Sequence, residues 1–85
     1  MNEKSLVDLG QRFADARGIS LWRVGFLAAG DGKFFARLQA GRSCTLRVAQ
    51  NVVQYLSDHW PAGLEWPTDI LRPASRREVE SEEAA

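Results

Sequence analysis

The chain has 85 residues and one cysteine, a length suited to one small domain and a composition that excludes an internal disulfide. Eleven basic and eleven acidic residues give a formal net charge of zero, which excludes a strongly basic or strongly acidic protein. The sequence contains no secretory signal region and no apolar run of about 18 residues, so we expect a soluble, cytoplasmic protein without a membrane partner.

The first predicted element is a helix over residues 5–17. Ser5, with Asp8 three residues later, resembles a capping box, and Gly18 is suited to end the helix in the left-handed conformation. Helical spacing gives one apolar stripe, made of Leu6, Leu9, Phe13 and Ala16. We expect this stripe to pack on Leu27, Leu46 and Val53.

Residues 20–55 carry the pattern that organises the chain, two short helices joined by a tight turn and followed by a third helix. In a helix-turn-helix register that starts at Leu21, Gly25 takes the fifth position, where the second helix crosses so closely that only a small residue fits. A register shifted by one residue places Phe26 there instead. The buried positions of the chosen register are Val24, Ala28, Phe35 and Leu38.

The turn and the ends of the second motif helix have identifiable residues. Ala29 stands at the ninth position, where the motif usually has glycine, and Gly30 follows it. The turn is therefore either shifted by one residue or of a different kind. Asp31 is suited to cap the helix predicted over residues 32–40, and Gly41 is suited to end it.

The last predicted helix runs from Thr45, its capping residue, to about His59, and Pro61 stops it. Its predicted buried face consists of Leu46, Ala49, Val52, Val53 and Leu56. Together these elements predict an all-α fold, a small four-helix domain with a central helix-turn-helix and a proline-rich C-terminal arm.

The chain divides into three predicted segments, of which residues 1–60 form the helix-turn-helix domain. Residues 61–73 contain three prolines, which forbid a regular helix, but also large apolar side chains that favour an ordered arm lying on the domain or on a partner subunit. Residues 74–85 are rich in charge and low in apolar residues, so we expect them to be disordered or to form an induced short helix.

Charge is unevenly distributed along the chain. Through Trp60 eight basic residues outnumber five acidic ones, whereas after Trp60 six acidic residues outnumber three basic ones. Lys33 and Arg37 are four residues apart and share a helix face, and residues 33–47 hold four basic residues and no acidic one. A basic face of this kind is a weak indication of nucleic-acid binding.

The motif resembles the Cro/repressor type of helix-turn-helix, in particular that of small bacterial and prophage-like DNA-binding proteins, over about residues 20–55. The residues that carry the resemblance are Gly25, Gly30, the segment DGKFFARLQAGR and the helix TLRVAQNVVQYL. The family often has a phosphate-binding glutamine at the start of the motif, where this chain has Ser20 and Leu21. The resemblance implies a sequence-specific regulator that binds double-stranded DNA as a homodimer, with the helix over residues 32–40 in the major groove.

Three groups of residues are assigned to this function. Those predicted to face base edges are Gly32, Lys33, Ala36 and Arg37. Those predicted to contact phosphates are Ser20, Arg42, Ser43, Thr45 and Arg47. Those predicted to form the homodimer contact are the apolar arm residues Trp60, Leu64, Trp66, Ile70 and Leu71.

A second interpretation stays open, a protein-interaction module that keeps a helix-turn-helix-like fold and does not bind DNA. The low net charge, Leu21 at the start of the motif and the apolar arm favour it. Lys33 and Arg37 would then be ordinary solvent-exposed residues. No nucleophile–base pair, carboxylate dyad or metal cluster is visible in the sequence, so we expect no enzymatic activity, no cofactor, no bound metal and no small-molecule ligand.

Overall fold

Four helices make up the regular structure of residues 2–68 and 70–73, which are the residues that the computed structural model describes. They are α1 (Glu3–Arg17), α2 (Leu21–Ala29), α3 (Phe34–Gln39) and α4 (Leu46–Asp58). No strand occurs within these two ranges, and the predicted all-α, four-helix fold is confirmed. None of the four helices is long and apolar enough to span a membrane. The tail predicted over residues 74–85 lies outside the described residues.

Helix α1 begins before the position that the sequence predicts, because Asn2 caps it. The side-chain oxygen of Asn2 accepts a hydrogen bond of 2.8 Å from the backbone N–H of Ser5. The predicted capping box of Ser5 and Asp8 is therefore wrong. The other end is as predicted, since Gly18 closes the helix with a φ of 69°.

The buried stripe of α1 differs from the prediction at one position. Its buried residues are Leu6, Leu9, Gly10, Phe13 and Ala14. Ala16 is exposed, because a 3.6-residue period continues the stripe from Phe13 to Ala14 and turns Ala16 away from the core. At Gly10 an added Cβ would lie 2.6 Å from Cζ of Phe35, so α3 packs directly on the backbone of α1 there.

Helix α4 has the predicted cap and most of the predicted buried face. Thr45 accepts a hydrogen bond of 3.2 Å from the N–H of Val48 through its side-chain oxygen. The buried apolar residues of α4 are Ala49, Val52, Val53 and Leu56. Leu46 is 69% exposed and the prediction that it is buried is wrong, because the first residue of α4 borders an open cleft beside Asn2 and Leu6.

One hydrophobic core joins the four helices. Helix α1 contacts each of the other three, and α2 also contacts α3 and α4. Phe35 is buried as predicted, and Phe34 is buried beside it, with the two rings edge to face at a centroid distance of 5.0 Å. Leu27 is 40% exposed and lines a cleft with Phe13 of α1, whereas Val53 is buried in the core.

The arm that follows α4 packs on its own domain. The indole N–H of Trp60 donates to the backbone oxygen of Leu64 at 2.8 Å, and that of Trp66 donates to the oxygen of Ile70 at 2.7 Å. Ile70 is 4% exposed and belongs to the core. The buried hydroxyl of Ser57 donates to the backbone oxygen of Pro73 at 2.6 Å, so the described end of the arm is fixed to α4.

Candidate nucleic-acid interface

Gly25 of α2 lies at a point where only glycine fits, against the turn that leads into α3. A Cβ added at Gly25 would lie 2.8 Å from the backbone oxygen of Asp31 and 3.5 Å from Cβ of Phe34. The first contact involves backbone and cannot be relieved by a side-chain rotation. The requirement for a small residue at the fifth position of the motif is therefore confirmed for this chain.

The turn between α2 and α3 is shifted by one residue relative to the usual motif. Ala29 is still helical, and Gly30 has the left-handed φ of 70°. Asp31 then accepts a hydrogen bond of 3.0 Å from the N–H of Lys33 through its side chain. The N–H of Phe34 donates to the backbone oxygen of Asp31 at 3.1 Å, which closes a tight i, i+3 turn, so α3 begins later than predicted and does not span residues 32–40.

The predicted base-facing residues do not all lie open to solvent. Lys33, Ala36 and Arg37 are exposed. Gly32 is only partly accessible, because a Cβ added there would collide with ring atoms Cε2 and Nε1 of Trp22. The sequence places Gly32 on the open face of the second motif helix, whereas in the structure the indole of Trp22 covers it.

Arg37 has an acidic partner that the sequence pattern does not reveal. Its guanidinium forms an ion pair with the carboxylate of Asp31, and the two side chains are 45% and 35% exposed. Asp31 lies just before the basic run of residues 33–47, so it brings one negative charge to the surface that this run was predicted to make purely basic. Residues six apart across a turn have no periodic signature, and the sequence alone could not identify this pair.

The predicted phosphate contacts fall into two classes. Each of the three hydroxyl residues already has a hydrogen bond inside the chain. Ser20 accepts from the N–H of Arg23 at 3.1 Å, Thr45 caps α4, and Ser43 donates to the carboxylate of Glu3 at 3.2 Å. The two arginines of this group, Arg42 and Arg47, are exposed and have no side-chain partner among the described residues.

Part of the predicted site shares one groove. A cavity of about 300 Å³ between α3 and the start of α4 is lined by Arg37, Ser43 and Thr45, and also by Asp31. The fold thus brings the cation of α3 together with the hydroxyls that precede α4. In the described ranges no group of three or more His, Cys, Asp or Glu side chains is close enough to hold a metal ion.

An exposed aromatic pair lies beside this surface, and the sequence indicates that one of the two residues is exposed and marks a subunit contact. Trp22 and Phe26 of α2 are 55% and 52% exposed, and their rings are stacked with centroids 5.6 Å apart and planes inclined by 3°. Their i, i+4 spacing shows that they share a helix face. It does not show that Trp22 reaches across the turn to Gly32, which depends on the way α3 packs.

The five residues predicted for the homodimer contact differ widely in accessibility. Ile70 is buried in the core of its own chain. Trp60, Leu64 and Trp66 are partly buried, and the rings of Trp60 and Trp66 pack edge to face at 4.8 Å. Leu71 is 93% exposed. A second copy would therefore meet mainly Leu71 and the outer edges of the two indoles.

No protein-family model matches this sequence, and neither a curated protein nor a solved structure matches it. The function must therefore be inferred from the geometry and charge of the chain itself.

Proposed function

We propose that this chain is a sequence-specific regulator of transcription that binds double-stranded DNA through a helix-turn-helix. The observation that carries the proposal is the close packing at Gly25, where an added Cβ would lie 2.8 Å from the backbone oxygen of Asp31 in the turn and 3.5 Å from Phe34 at the start of α3. The motif has a small residue at this position. Helix α3 and the preceding Lys33 enter the major groove. The protein acts in the cytoplasm, on the nucleoid.

The charge of the central part of the chain supports this proposal. Residues 17–57 contain six basic residues and one acidic residue, Asp31, and hence carry a net charge of +5 although the whole chain is neutral. The six are Arg17, Arg23, Lys33, Arg37, Arg42 and Arg47. All six have exposed side chains, so they can neutralise DNA phosphates, and the release of the condensed counterions favours binding.

Each cation has a distinct proposed role. Arg37 and Lys33 reach base edges or the adjacent phosphates, and the guanidinium is suited to a bidentate contact with O6 and N7 of guanine. To make that contact Arg37 exchanges the carboxylate of Asp31 for the base. Arg42 and Arg47 hold the phosphate backbone, together with Ser20, Ser43 and Thr45. One such domain reads few base pairs, so a homodimer on a near-palindromic site is part of the proposal.

The proposal is tested by gel shift and fluorescence anisotropy with random genomic duplexes at low and moderate salt. We expect binding that weakens steeply as salt rises, because phosphate neutralisation dominates non-specific affinity. Arg37→Ala should weaken binding, whereas Arg12→Ala should not. Arg12 is a matched control, because it also forms an exposed ion pair, with Asp8 at 3.0 Å, but it lies on α1. A chain that binds no duplex at low salt would refute the proposal.

A protein-interaction module is the second candidate function. The ion pair between Arg37 and Asp31 favours it, because an arginine that is satisfied within the chain is less available to DNA. The exposed stack of Trp22 and Phe26 also favours it, since large exposed aromatic side chains are typical of contact surfaces. This function takes precedence if the wild-type chain fails to bind duplex DNA.

A further inference from the structure

The indole of Trp22 covers Gly32, a residue that the sequence predicts to face the base edges of DNA. The ring lies so close to the Cα of Gly32 that no side chain fits between them, and Phe26 stacks on the ring through α2. More than half of the Trp22 side chain nevertheless remains accessible, at 55%. Any molecule that approaches the backbone at Gly32 therefore meets Trp22 first.

Trp22 differs from the other two tryptophans in its hydrogen bonding. The indole N–H groups of Trp60 and Trp66 donate to backbone oxygens of the arm. None of the described residues accepts a hydrogen bond from the indole N–H of Trp22, whose nitrogen lies close to Gly32. Trp22 thus presents both an apolar ring and an unused donor, and the next residue after Gly32 is the exposed cation Lys33.

We propose that Trp22 is a DNA-contacting residue, whose ring meets a sugar or thymine methyl group and whose indole N–H donates to the DNA beside the phosphate or base held by Lys33. This inference rests on the proposed function. The surrounding charge points to duplex DNA as the occupant, because Lys33, the residue directly after Gly32, is an exposed cation. Apolar side chains recognise thymine through its methyl group.

The contact makes a specific prediction about affinity and its salt dependence. Trp22→Ala should weaken duplex binding about tenfold. The slope of log affinity against log salt should stay unchanged, because an uncharged side chain releases no counterion. Lys33→Ala should instead make the slope shallower by about one unit. A structural defect alone would not separate the two variants in this way.

Two further variants keep the test independent of misfolding. Trp22→Phe retains an aromatic ring and loses the indole N–H, so we expect a smaller loss of about threefold. Gly32→Ala should displace the ring and weaken binding, but should have no added effect in a chain that already carries Trp22→Ala. Leu27→Ala is the control, because Leu27 lies on the same helix and borders a different cleft, beside Tyr55 and His59.

The readouts are anisotropy of a labelled duplex, tryptophan fluorescence on titration with the same duplex, and circular dichroism for folding. We expect a fluorescence change that is present in the wild type and absent in Trp22→Phe. If the duplex binds but Trp22→Ala and Trp22→Phe change neither affinity nor fluorescence, the inference is overturned and the proposed function stands. If the wild type binds no duplex, both fail. A dimer that Trp22→Ala converts to a monomer in light scattering would instead assign the aromatic pair to an interface between copies, and overturn the inference.

Discussion

Two glycines of the helix-turn-helix are required for different physical reasons. Gly25 is required because an added Cβ would contact the backbone of Asp31, and Gly30 because its φ is 70° although nothing lies within 4 Å of its missing Cβ. We expect Gly25→Ala to destabilise the fold by about 1–3 kcal/mol through overpacking. Gly30→Ala should cost about 1–2 kcal/mol through backbone strain. Urea denaturation measures both.

A third variant separates the two mechanisms. Asparagine tolerates the left-handed region better than other residues, so Gly30→Asn should be more stable than Gly30→Ala. At Gly25 the order should reverse, and Gly25→Asn should be less stable than Gly25→Ala, because the larger side chain meets the same backbone oxygen. Equal stability of Gly25→Ala and the wild type would mean that the backbone of the turn at Asp31 does not pack closely on this residue.

The ion pair between Asp31 and Arg37 predicts a substitution that strengthens DNA binding, whereas most substitutions at the site should weaken it. Asp31→Asn removes the charge that competes with DNA for Arg37, and it keeps an oxygen that can accept from the N–H of Lys33. Duplex affinity should rise about threefold at low salt, because one repulsive charge near the phosphates is removed. Anisotropy titrations measure the change.

Asp8→Asn is the matched control for this prediction. It removes the same charge from an ion pair with Arg12 on α1, a helix that does not carry the proposed DNA face. Asp8→Asn should therefore raise affinity less than Asp31→Asn does. An equal rise in both variants would show that overall charge, rather than release of Arg37, controls binding.

At the scale of helices and loops, capping residues at or next to the helix ends allowed most of those ends to be predicted. Gly18, Gly41 and Thr45 end or begin their helices as predicted, because glycine in the left-handed region and a threonine cap act within a few residues. The start of α3 was predicted too early, because the residues after Asp31 form a tight turn that is closed by the N–H of Phe34 on the backbone oxygen of Asp31.

Features that depend on packing between elements could not be predicted. Leu46 has the correct spacing for a buried residue, but no neighbouring element covers the first turn of α4. The cover that Trp22 gives to Gly32 and the ion pair of Arg37 both arise across the turn between α2 and α3. The sequence therefore predicted that the four cations of residues 33–47 are exposed, but not which of them are already paired or which surface the aromatic pair occupies.

The arm is an integral part of the core, and two neighbouring residues test this. Ile70 is 4% exposed and Leu71 is 93% exposed. Ile70→Ala should lower the free energy of unfolding by about 2–4 kcal/mol, because it leaves a cavity under the arm. Leu71→Ala should change it by no more than about 0.5 kcal/mol. Chemical denaturation of both variants measures the difference, and an unaffected Ile70→Ala would mean that the arm is detached from the helices in solution.

At the scale of the whole molecule, we predict a homodimer in which Leu71 lies at the contact. Light scattering of the wild type at high concentration should give twice the mass of one chain. Leu71→Asp should shift the mass toward one chain, because it places a charge in an apolar contact. Leu27→Ala should leave the mass unchanged. A wild-type chain that stays monomeric at high concentration would contradict the dimer and the model of two half-sites.

Whether α3 lies in the major groove is tested most directly by methylation interference on a duplex site selected from random sequence. Methylation of guanine N7 blocks the major-groove edge that Arg37 is proposed to contact. We predict that methylation at one guanine in each half-site abolishes binding of the wild type, and that Arg37→Ala removes this sensitivity while Arg42→Ala only weakens binding uniformly. Interference confined to the minor groove, or a wild-type chain that is insensitive to every guanine N7, would contradict the account.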